Sequence, residues 1–207
     1  MPEHNPNARL ETFCDGVFAI AMTLLIIDIK IPSTAEIKNT HDLWFALRQL
    51  TPSIIAFLLS FTIIFILWVN HHSNLRSIGK SSPPFIYANG LLLLTAVFLP
   101  FPTSLLGEYV FTDHSAPAVI LYDGTLALQA FAWMLLCSAS IKDQLVKSEN
   151  AKIAVIADRK FSYFGFALYS LCAIFAFWLP RFVAIITIIS WIFWLAYGIG
   201  IRRQEKD

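Results

Sequence analysis

The sequence predicts an all-α integral membrane protein with six transmembrane helices in one domain that spans residues 1–207. Of these residues, 57% are hydrophobic and only 14% are charged, whereas a soluble domain carries about 25% charged residues. The apolar residues are grouped in segments whose lengths match a bilayer core of about 30 Å. The six predicted helices lie at about residues 9–31, 43–71, 85–106, 116–141, 161–179 and 182–201.

The first predicted helix begins at Arg9 and ends before Pro32, which cannot continue a helix. At a rise of about 1.5 Å per residue, residues 9–31 span about 34 Å. No residue between Asp15 and Asp28 is charged. Because an acid inside the membrane is costly without a partner, we expect Asp15 to face its own bundle. Asp28 is predicted to be a solvated charge at the outer rim, with a position in the pore vestibule as the alternative.

Prolines help to delimit the second and third predicted helices. The second contains Pro52 close to its start, and its most apolar part, residues 53–69, has no charge. The third is entered by Pro83 and Pro84. Both prolines suit the first turn of a helix, where their missing N–H groups have no intrahelical partner. Each segment is therefore predicted to cross the membrane.

In the second half of the chain, a segment at the membrane surface is predicted between the fourth and fifth transmembrane helices. Residues 143–160 mix apolar with basic side chains, which is typical of an amphipathic helix at the membrane surface or of an extension of the fourth helix. Pro180 and Arg181 divide the fifth and sixth apolar segments, each of which is about 20 residues long. The last two helices should therefore form a tight hairpin.

Lysine and arginine residues predict the orientation, because cytoplasmic loops carry an excess of both. With six spans, the side that holds both termini carries eleven of the 15 basic residues, and the other side carries four. We therefore expect a multi-pass protein of the cell (plasma) membrane with both termini in the cytoplasm. The four basic residues on the outer side are Lys30, Lys38, Arg48 and Arg181.

Composition and spacing argue against several other functions. The net charge of +1, with scattered basic residues, gives no case for nucleic-acid binding. Adjacent His71 and His72 would point about 100° apart on a helix, which disfavours a shared metal ion. No Ser/His/Asp or His-x-x-x-His spacing occurs, so we expect neither an enzyme, nor catalytic residues, nor a cofactor. Three cysteines without a Cys-x-x-Cys pair are expected to be buried hydrophobic residues: Cys14, Cys137 and Cys172.

The first helix carries an aliphatic stripe. Taking Ile20 as the origin and about 100° per residue, Leu24 lies about 40° to one side and Thr23 about 60° to the other. Ile27 lies within about 20° of the origin, whereas Asp15 falls about 140° away. Helix packing is the ordinary explanation of such a stripe. A subunit with so few charges in the membrane has no evident aqueous path, so a pore on the axis of an oligomer is the alternative.

One motif in this helix resembles the signature of a known family. Arg9-x-x-x-Phe13-Cys14-Asp15, followed by an aliphatic run with Thr23, is similar to the Arg-x-x-x-Phe-Ser-Asp motif of the transmembrane-protein-175 family of potassium channels. In that family the motif opens the first helix. Cys14 stands where the family has serine, which preserves the packing and puts a serine-specific contact in doubt.

Two later stretches extend the resemblance over most of the chain. Trp68-Val-Asn70-His71-His72 is similar to the family's Trp-x-x-His-His sequence. Residues 99–109 resemble its Pro-Phe-x-Thr and Leu-Gly-Glu-Tyr stretch. Animal members carry two six-helix repeats in one chain, and the single repeat here resembles the bacterial form.

The resemblance implies a homotetramer in the lipid bilayer that passes potassium ions along an axis lined by the first helix. It places Ile20 at a narrow hydrophobic constriction and gives Thr23 a part in selectivity. Leu24 and Ile27 would be further pore-lining layers. A hydrophobic constriction can act as a gate by dewetting, without a filter of backbone carbonyl groups. A proton- or cation-coupled secondary transporter is the alternative, and it would need an essential ionisable residue such as Asp123.

Polar residues at the membrane edge are expected to clamp the first helix onto the second and so to influence gating. Asp123 lies within the fourth span and is expected to pair with Arg48 or Arg181. The predicted structural and gating network comprises Arg9, Phe13, Asp15, Trp68, Asn70, His71 and His72.

Overall fold

The architecture comes from a computed structural model, which describes residues 7–27 and 29–204, with side chains as far as residue 195. The predicted all-α fold is confirmed for this part of the chain, where only an isolated bridge joins Ile78 to Val146. The predicted rim charge, Asp28, lies outside the described residues. Eight helices follow one another: α1 (Ala8–Leu24), α2 (Thr40–Gln49), α3 (Thr51–Ser77), α4 (Pro83–Phe98), α5 (Pro100–Tyr109), α6 (Ser115–Lys142), α7 (Glu149–Phe175) and α8 (Pro180–Gln204).

Helix α1 is shorter than the sequence pattern indicated, because it ends at Leu24 rather than near residue 31. Tighter bonds follow the helix: the Ile27 amide donates to the Leu24 carbonyl at 3.1 Å, and the Ile29 amide donates to the Ile26 carbonyl at 3.2 Å. The helix therefore ends before Pro32 is reached.

The second predicted span is divided into two helices at Leu50, which caps both α2 and α3. Asn39 begins α2, since its Oδ1 accepts the Asp42 amide hydrogen at 3.0 Å. Pro52 lies in the first turn of α3, where its missing N–H costs no helical bond. Helix α3 then continues for 27 residues, six residues beyond His71. Its length is enough to cross a bilayer and to emerge from it.

Prolines also divide the third predicted span, since α4 ends at Phe98 and α5 begins at Pro100. Together the two helices form one apolar span over Pro83–Tyr109. By length and composition, the described residues contain three helices that could cross a membrane: Thr51–Ser77, Pro83–Tyr109 and Ser115–Lys142. Pro180–Leu195 is a shorter apolar helix.

Helix α7 contains both the segment predicted at the membrane surface and the fifth predicted span. It runs without a break from Glu149 to Phe175 because no proline interrupts it and its first glycine is Gly165. The Ser148 hydroxyl caps its start by accepting the Ala151 amide hydrogen at 3.2 Å. Both expectations for residues 143–160 are therefore wrong: α6 ends at Lys142, so the segment does not extend the fourth predicted helix, and from Glu149 it continues into the fifth span rather than forming a separate surface helix.

The packing places α6 at the centre of the subunit, against α4, α5, α7 and α8. Helix α1 lies at one side, where it packs against α3 and α4. The Asn7 side chain ties the start of α1 to the end of α3 by donating to the Ile78 carbonyl at 3.1 Å. Helix α1 is thus held by one face only, and its other face lies outside the subunit core.

Gly107 allows α5 to pack closely on α3. A Cβ at this position would lie 2.8 Å from the Ser53 Cα, a backbone atom that cannot move aside by rotating. We expect Gly107→Ala to separate the two helices at a cost of about 1–3 kcal/mol and to lower the thermal unfolding midpoint of the purified protein by several degrees. Gly90→Ala is the matched control, because nothing lies within 4 Å of an added Cβ there. Equal midpoints for the two variants would contradict the close contact.

Candidate functional site

Helix α1 has two faces of opposite character. One face is fully buried against α3 and α4. The opposite face is exposed, and Ile20 keeps 58% of its surface accessible in the subunit. The buried residues are Cys14, Phe18, Ala21 and Leu25; the exposed residues are Phe13, Ile20, Thr23, Leu24 and Ile27. Three of the residues proposed for the pore, Ile20, Thr23 and Leu24, therefore lie on the exposed face of α1 together with Phe13, and the fourth, Ile27, is exposed in the turn that follows the helix.

The polar groups on the exposed face are the Thr12 and Thr23 hydroxyls and, near the start of the helix, the Arg9 guanidinium. The Thr23 hydroxyl donates to the Ile20 carbonyl oxygen at 2.9 Å. Its donor is thereby used within the helix, and its oxygen can still accept a hydrogen bond. Gly16 lies on the same face, with nothing within 4 Å of an added Cβ. From Gly16 to Leu24 the face thus offers an apolar surface with one hydroxyl oxygen, that of Thr23, one turn beyond Ile20.

Asp15 is turned away from that face and is held by α3. The Trp68 indole Nε1 donates to the Asp15 Oδ1 at 2.8 Å, in a partly buried position. A carboxylate that accepts a hydrogen bond in an apolar surrounding is far less costly than one without a donor. This bond joins the N-terminal half of α1 to α3, as the sequence argument for Asp15 expected.

A buried polar chain lies behind α1. The His71 Nε2 and the Asn89 Oδ1 are 2.6 Å apart, and the Asn89 Nδ2 donates to the Cys14 Sγ at 3.1 Å. Since the Asn89 Oδ1 can only accept, the His71 Nε2 carries the proton. The three residues come from α3, α4 and α1 and are almost completely buried. The thiol of Cys14 accepts a hydrogen bond at the position where a serine hydroxyl would accept one.

Aromatic contacts continue this chain to the side chains of α1 and α6. The ring of His71 lies 5.2 Å from the ring of Phe18 and 6.4 Å from the ring of Trp133, measured between centroids. Phe18 is fully buried on the inner face of α1. His71 therefore contacts the pore-candidate helix by packing as well as through Asn89.

The remaining network residues are arranged less closely than predicted. The His72 Nδ1 lies 3.3 Å from the Glu11 Oε1, at ion-pair distance but without the alignment of a hydrogen bond. Arg9, Phe13 and Asn70 are exposed, and no hydrogen bond, ion pair or ring contact among the described residues joins any of them to this cluster. The structure thus brings together Asp15, Trp68, His71 and His72 around the N-terminal half of α1.

Sequence reasoning missed three members of the cluster. The sequence pattern does not single out Glu11, and it indicates only packing for Cys14. Asn89 was not assigned to the network, although an amide within an otherwise apolar segment signals an interhelical hydrogen bond. None of these pairings connects residues close in sequence, since Cys14 and Asn89 are separated by 75 positions.

A second buried polar site lies within α6. The Thr187 hydroxyl of α8 donates to the Asp123 Oδ1 at 2.8 Å, and Asp123 is fully buried. The expected pairing of Asp123 with Arg48 or Arg181 is wrong, since Arg181 instead lies 3.4 Å from Asp113 at the surface. Asp123 is buried between helices, whereas Arg181 lies at the surface. The partner of the carboxylate is therefore a neutral hydroxyl of the neighbouring helix α8.

The described residues contain no group of three or more His, Cys, Asp or Glu side chains that could hold a metal ion. The three cysteines are buried and free of disulfide bonds. The chemistry available at the α1 site is therefore that of apolar packing, hydrogen bonds and the Thr23 hydroxyl oxygen.

Comparison with protein-family models matches residues 9–100 to TMEM175, described as an endosomal/lysosomal potassium channel. A potassium channel of Chamaesiphon minutus is 40% identical over 169 residues, which covers 81% of this chain and 83% of that protein. A potassium channel of Streptomyces collinus is 38% identical over 72% of this chain and 73% of the relative. Bovine TMEM175, named an endosomal/lysosomal proton channel, is 36% identical over 47% of this chain but only 22% of its own length.

Solved structures give the same result for the fold. The crystal structure of a lysosomal potassium-selective channel TMEM175 homologue from Chamaesiphon minutus superimposes with a TM-score of 0.82 at 33% sequence identity. The alignment covers 93% of this chain and 97% of the other. A second crystal structure, of a variant of the potassium channel MtTMEM175 in complex with a nanobody fusion protein, superimposes with a TM-score of 0.62 at 19% identity. The alignment covers 96% of this chain and 93% of the other, and it shows a shared fold.

Proposed function

Because the chain belongs to the TMEM175 family of membrane ion channels, which are not enzymes, we propose that it is a potassium-selective channel. It conducts passively, without a cofactor, through a homotetramer in which four copies of α1 surround the axis. The relatives in Chamaesiphon minutus and Streptomyces collinus, both named potassium channels, support potassium as the permeant ion.

The exposed apolar face of α1 is the observation that carries this proposal. Its inner face is fixed to α3 and α4 by packing, the Trp68–Asp15 bond and the buried Asn89 chain. A helix held so firmly from one side presents the opposite side in a constant orientation. Four such faces around an axis form a narrow channel with Ile20 at its constriction and with Leu24 and Ile27 as further layers. Asp15 is then excluded from the pore wall.

Selectivity follows from the cost of removing water at the Ile20 ring. An apolar constriction offers no substitute for the hydration shell, so an ion must lose part of it to pass. Potassium is the more weakly hydrated of the two common monovalent cations, so it loses less hydration free energy than sodium when it passes the constriction. The Thr23 hydroxyl oxygen, one turn further along, returns part of that hydration as the ion leaves the constriction.

The channel lies in the plasma membrane with both termini in the cytoplasm. The excess of lysine and arginine on the side of the termini supports this orientation. The Lys30–Glu108 ion pair, at 3.1 Å, lies beyond the C-terminal end of α1 and is exposed. In this orientation it belongs to the extracellular rim of the subunit.

A proton- or cation-coupled transporter is the second candidate function, because a carboxyl group is buried in a membrane-spanning helix. A proton-coupled transporter would need an ionisable residue that changes its protonation during turnover. Asp123 is such a residue, buried within the membrane-spanning part of α6. Its Asp123→Asn variant separates the two cases: a passive potassium channel keeps its flux, whereas a coupled transporter loses turnover.

Flux through the purified protein in liposomes tests the proposal. We expect potassium to equilibrate faster than sodium, and the potassium flux not to saturate over the concentration range in which a carrier saturates. We also expect the mass of the purified particle to be that of four subunits. Liposomes without protein give the background leak. Saturable flux that requires Asp123, or no passive flux of either cation, would contradict the channel proposal.

A further inference from the structure

Two loops beside the start of α1 are joined to each other. The isolated bridge between Ile78 and Val146 pairs the segment that follows α3 with the segment that follows α6. The Lys147 amide donates to the Ser77 carbonyl at 3.0 Å, which extends this pairing by one residue on each side. Because the bonds are between backbone groups, each loop fixes the position of the other.

This pairing brings basic side chains together. A Cβ on Gly79 would lie 3.1 Å from the Lys147 Cγ, so the stem of Lys147 lies across the backbone next to Lys80. The Ser82 hydroxyl donates to the Asp143 carboxylate, which holds the end of α6 beside the same loop. Four exposed residues form what we call the basic patch: Arg76, Lys80, Lys142 and Lys147.

The basic patch carries more positive charge than its surroundings neutralise. In the part of the chain that the structure describes, none of its four residues forms an ion pair. Of the acidic residues nearby, Asp143 accepts the bond from Ser82, and Glu149 pairs with Lys152 at 3.2 Å. Several cations held close together attract an anion to the space between them. The patch is therefore suited to a negatively charged group.

The position of the patch along the helices favours a lipid over a soluble anion. Three apolar spans of 27 or 28 residues begin or end beside it: Thr51–Ser77, Pro83–Tyr109 and Ser115–Lys142. A helix of that length measures about 40 Å, which matches a bilayer of about 40–45 Å with its headgroups included. Arg76 and Lys142 lie in the last turns of two spans, and Lys80 lies just before the third. The patch therefore lies at the level of the lipid headgroups.

Exposed apolar side chains continue from the patch along α4. Ile86 keeps 46% and Tyr87 80% of its surface accessible in the subunit. Tyrosine is common at membrane interfaces because its ring is apolar and its hydroxyl is polar. Clusters of about four to eight lysine and arginine residues beside a membrane span are typical of sites for anionic lipids. We propose that the basic patch binds the headgroup phosphate of an anionic phospholipid, whose acyl chains lie along Ile86 and Tyr87.

The patch is connected to the helix proposed to line the pore. The Asn7 Nδ2 donates to the Ile78 carbonyl at 3.1 Å, and Ile78 lies in the chain between Arg76 and Lys80. A lipid bound at the patch thus contacts the loop that holds the start of α1. In the orientation proposed above, this lipid belongs to the cytoplasmic leaflet. The binding itself rests on the charge and position of the patch and is independent of what the pore conducts.

The thermal unfolding midpoint of the purified full-length protein in neutral detergent tests the site, because a ligand of the folded state raises the midpoint. Phosphatidylglycerol is the anionic probe, and phosphatidylcholine with the same acyl chains is the probe without net charge. We expect phosphatidylglycerol to raise the midpoint by several degrees in a saturable way, with a Kd at least about tenfold lower than that of phosphatidylcholine. Equal effects of the two lipids would overturn the proposal.

Two double variants locate the binding. Lys80→Gln with Lys147→Gln removes two charges of the patch, and we expect it to weaken phosphatidylglycerol about tenfold. Lys38→Gln with Arg48→Gln is the matched control, because it removes the same charge from two exposed residues beyond the other end of α3. A Kd for phosphatidylglycerol that stays unchanged in the first variant, or that rises equally in both, would overturn the assignment to the patch.

Inorganic phosphate distinguishes a lipid site from a site for a soluble anion. Excess sodium phosphate, compared with sodium chloride at the same ionic strength, should leave the Kd of phosphatidylglycerol unchanged, because the acyl chains on α4 contribute to lipid binding and phosphate has none. If phosphate displaced the lipid where chloride did not, the patch would be a site for a soluble anion and the lipid proposal would be wrong.

Discussion

The Ile20→Asn variant should lose its preference for potassium over sodium. In the proposed tetramer the substitution replaces a ring of four butyl groups by four amides, which supply oxygen ligands and admit water. The dehydration cost that separates the two ions then disappears. We expect the ratio of potassium to sodium flux to fall by about tenfold, which corresponds to about 1.4 kcal/mol of lost discrimination. Parallel flux assays in liposomes, with equal inward gradients of each cation, measure the ratio.

Ile20→Val is the matched control for this change, because it keeps the position apolar and β-branched. It should widen the constriction slightly and leave the preference for potassium in place. If Ile20→Asn and Ile20→Val gave the same ratio as the wild type, the constriction would lie at another layer of α1. Leu24 and Ile27 would then be the next positions to test, since they are also exposed.

The Asn89→Leu variant should destabilise the protein and loosen α1. Asn89 serves both His71 and Cys14, so its loss leaves a buried imidazole N–H without an acceptor. An unsatisfied buried donor costs about 1–3 kcal/mol. We expect a lower thermal unfolding midpoint together with a reduced preference for potassium, because the helix that forms the constriction is no longer held in one position. Size-exclusion chromatography after heating measures the first effect, and liposome flux measures the second.

Two further variants separate this effect from a general loss of packing. Asn74→Leu also replaces a buried amide of similar size, but neither polar atom of Asn74 has a hydrogen-bond partner among the described residues. It should therefore be neutral or stabilising. Adding His71→Leu to Asn89→Leu removes both partners and should recover part of the lost stability. A midpoint for Asn89→Leu equal to that of Asn74→Leu would contradict a role for the buried chain.

The angular positions on α1 follow from sequence alone, whereas its partners do not. A period of about 100° per residue is a local property, so it places Ile20 and Ile27 on one face and Asp15 near the other without knowledge of the fold. The bonds from Trp68 to Asp15 and from Asn89 to Cys14 join helices far apart in the sequence. These bonds depend on which helices pack against each other. Helices of similar apolar composition do not reveal their neighbours from sequence alone.

The helix boundaries show the same division between local and tertiary causes. Pro83 marks the start of α4, as expected, since its effect on the backbone is local. The break at Leu50 was missed although Arg48 and Gln49 interrupt the apolar pattern there and Pro52 suits the first turn of a new helix. The partner of Asp123 was also missed. Thr187 is an ordinary residue of an apolar helix, and only the packing of α8 against α6 brings it to the carboxylate.

Silver block of an Ile20→Cys variant tests most directly whether α1 lines the ion path. Silver ions follow monovalent cations through a pore and bind thiolate side chains that face it. The native cysteines are buried, so the wild-type channel is the first control. Ile86→Cys is the second, because Ile86 is exposed on α4 and does not belong to the helix proposed to line the pore.

We expect silver to stop potassium flux through Ile20→Cys and to leave the flux through the wild type and Ile86→Cys unchanged. Flux through Ile20→Cys that persists in silver, or that is lost equally in Ile86→Cys, would contradict a pore lined by α1.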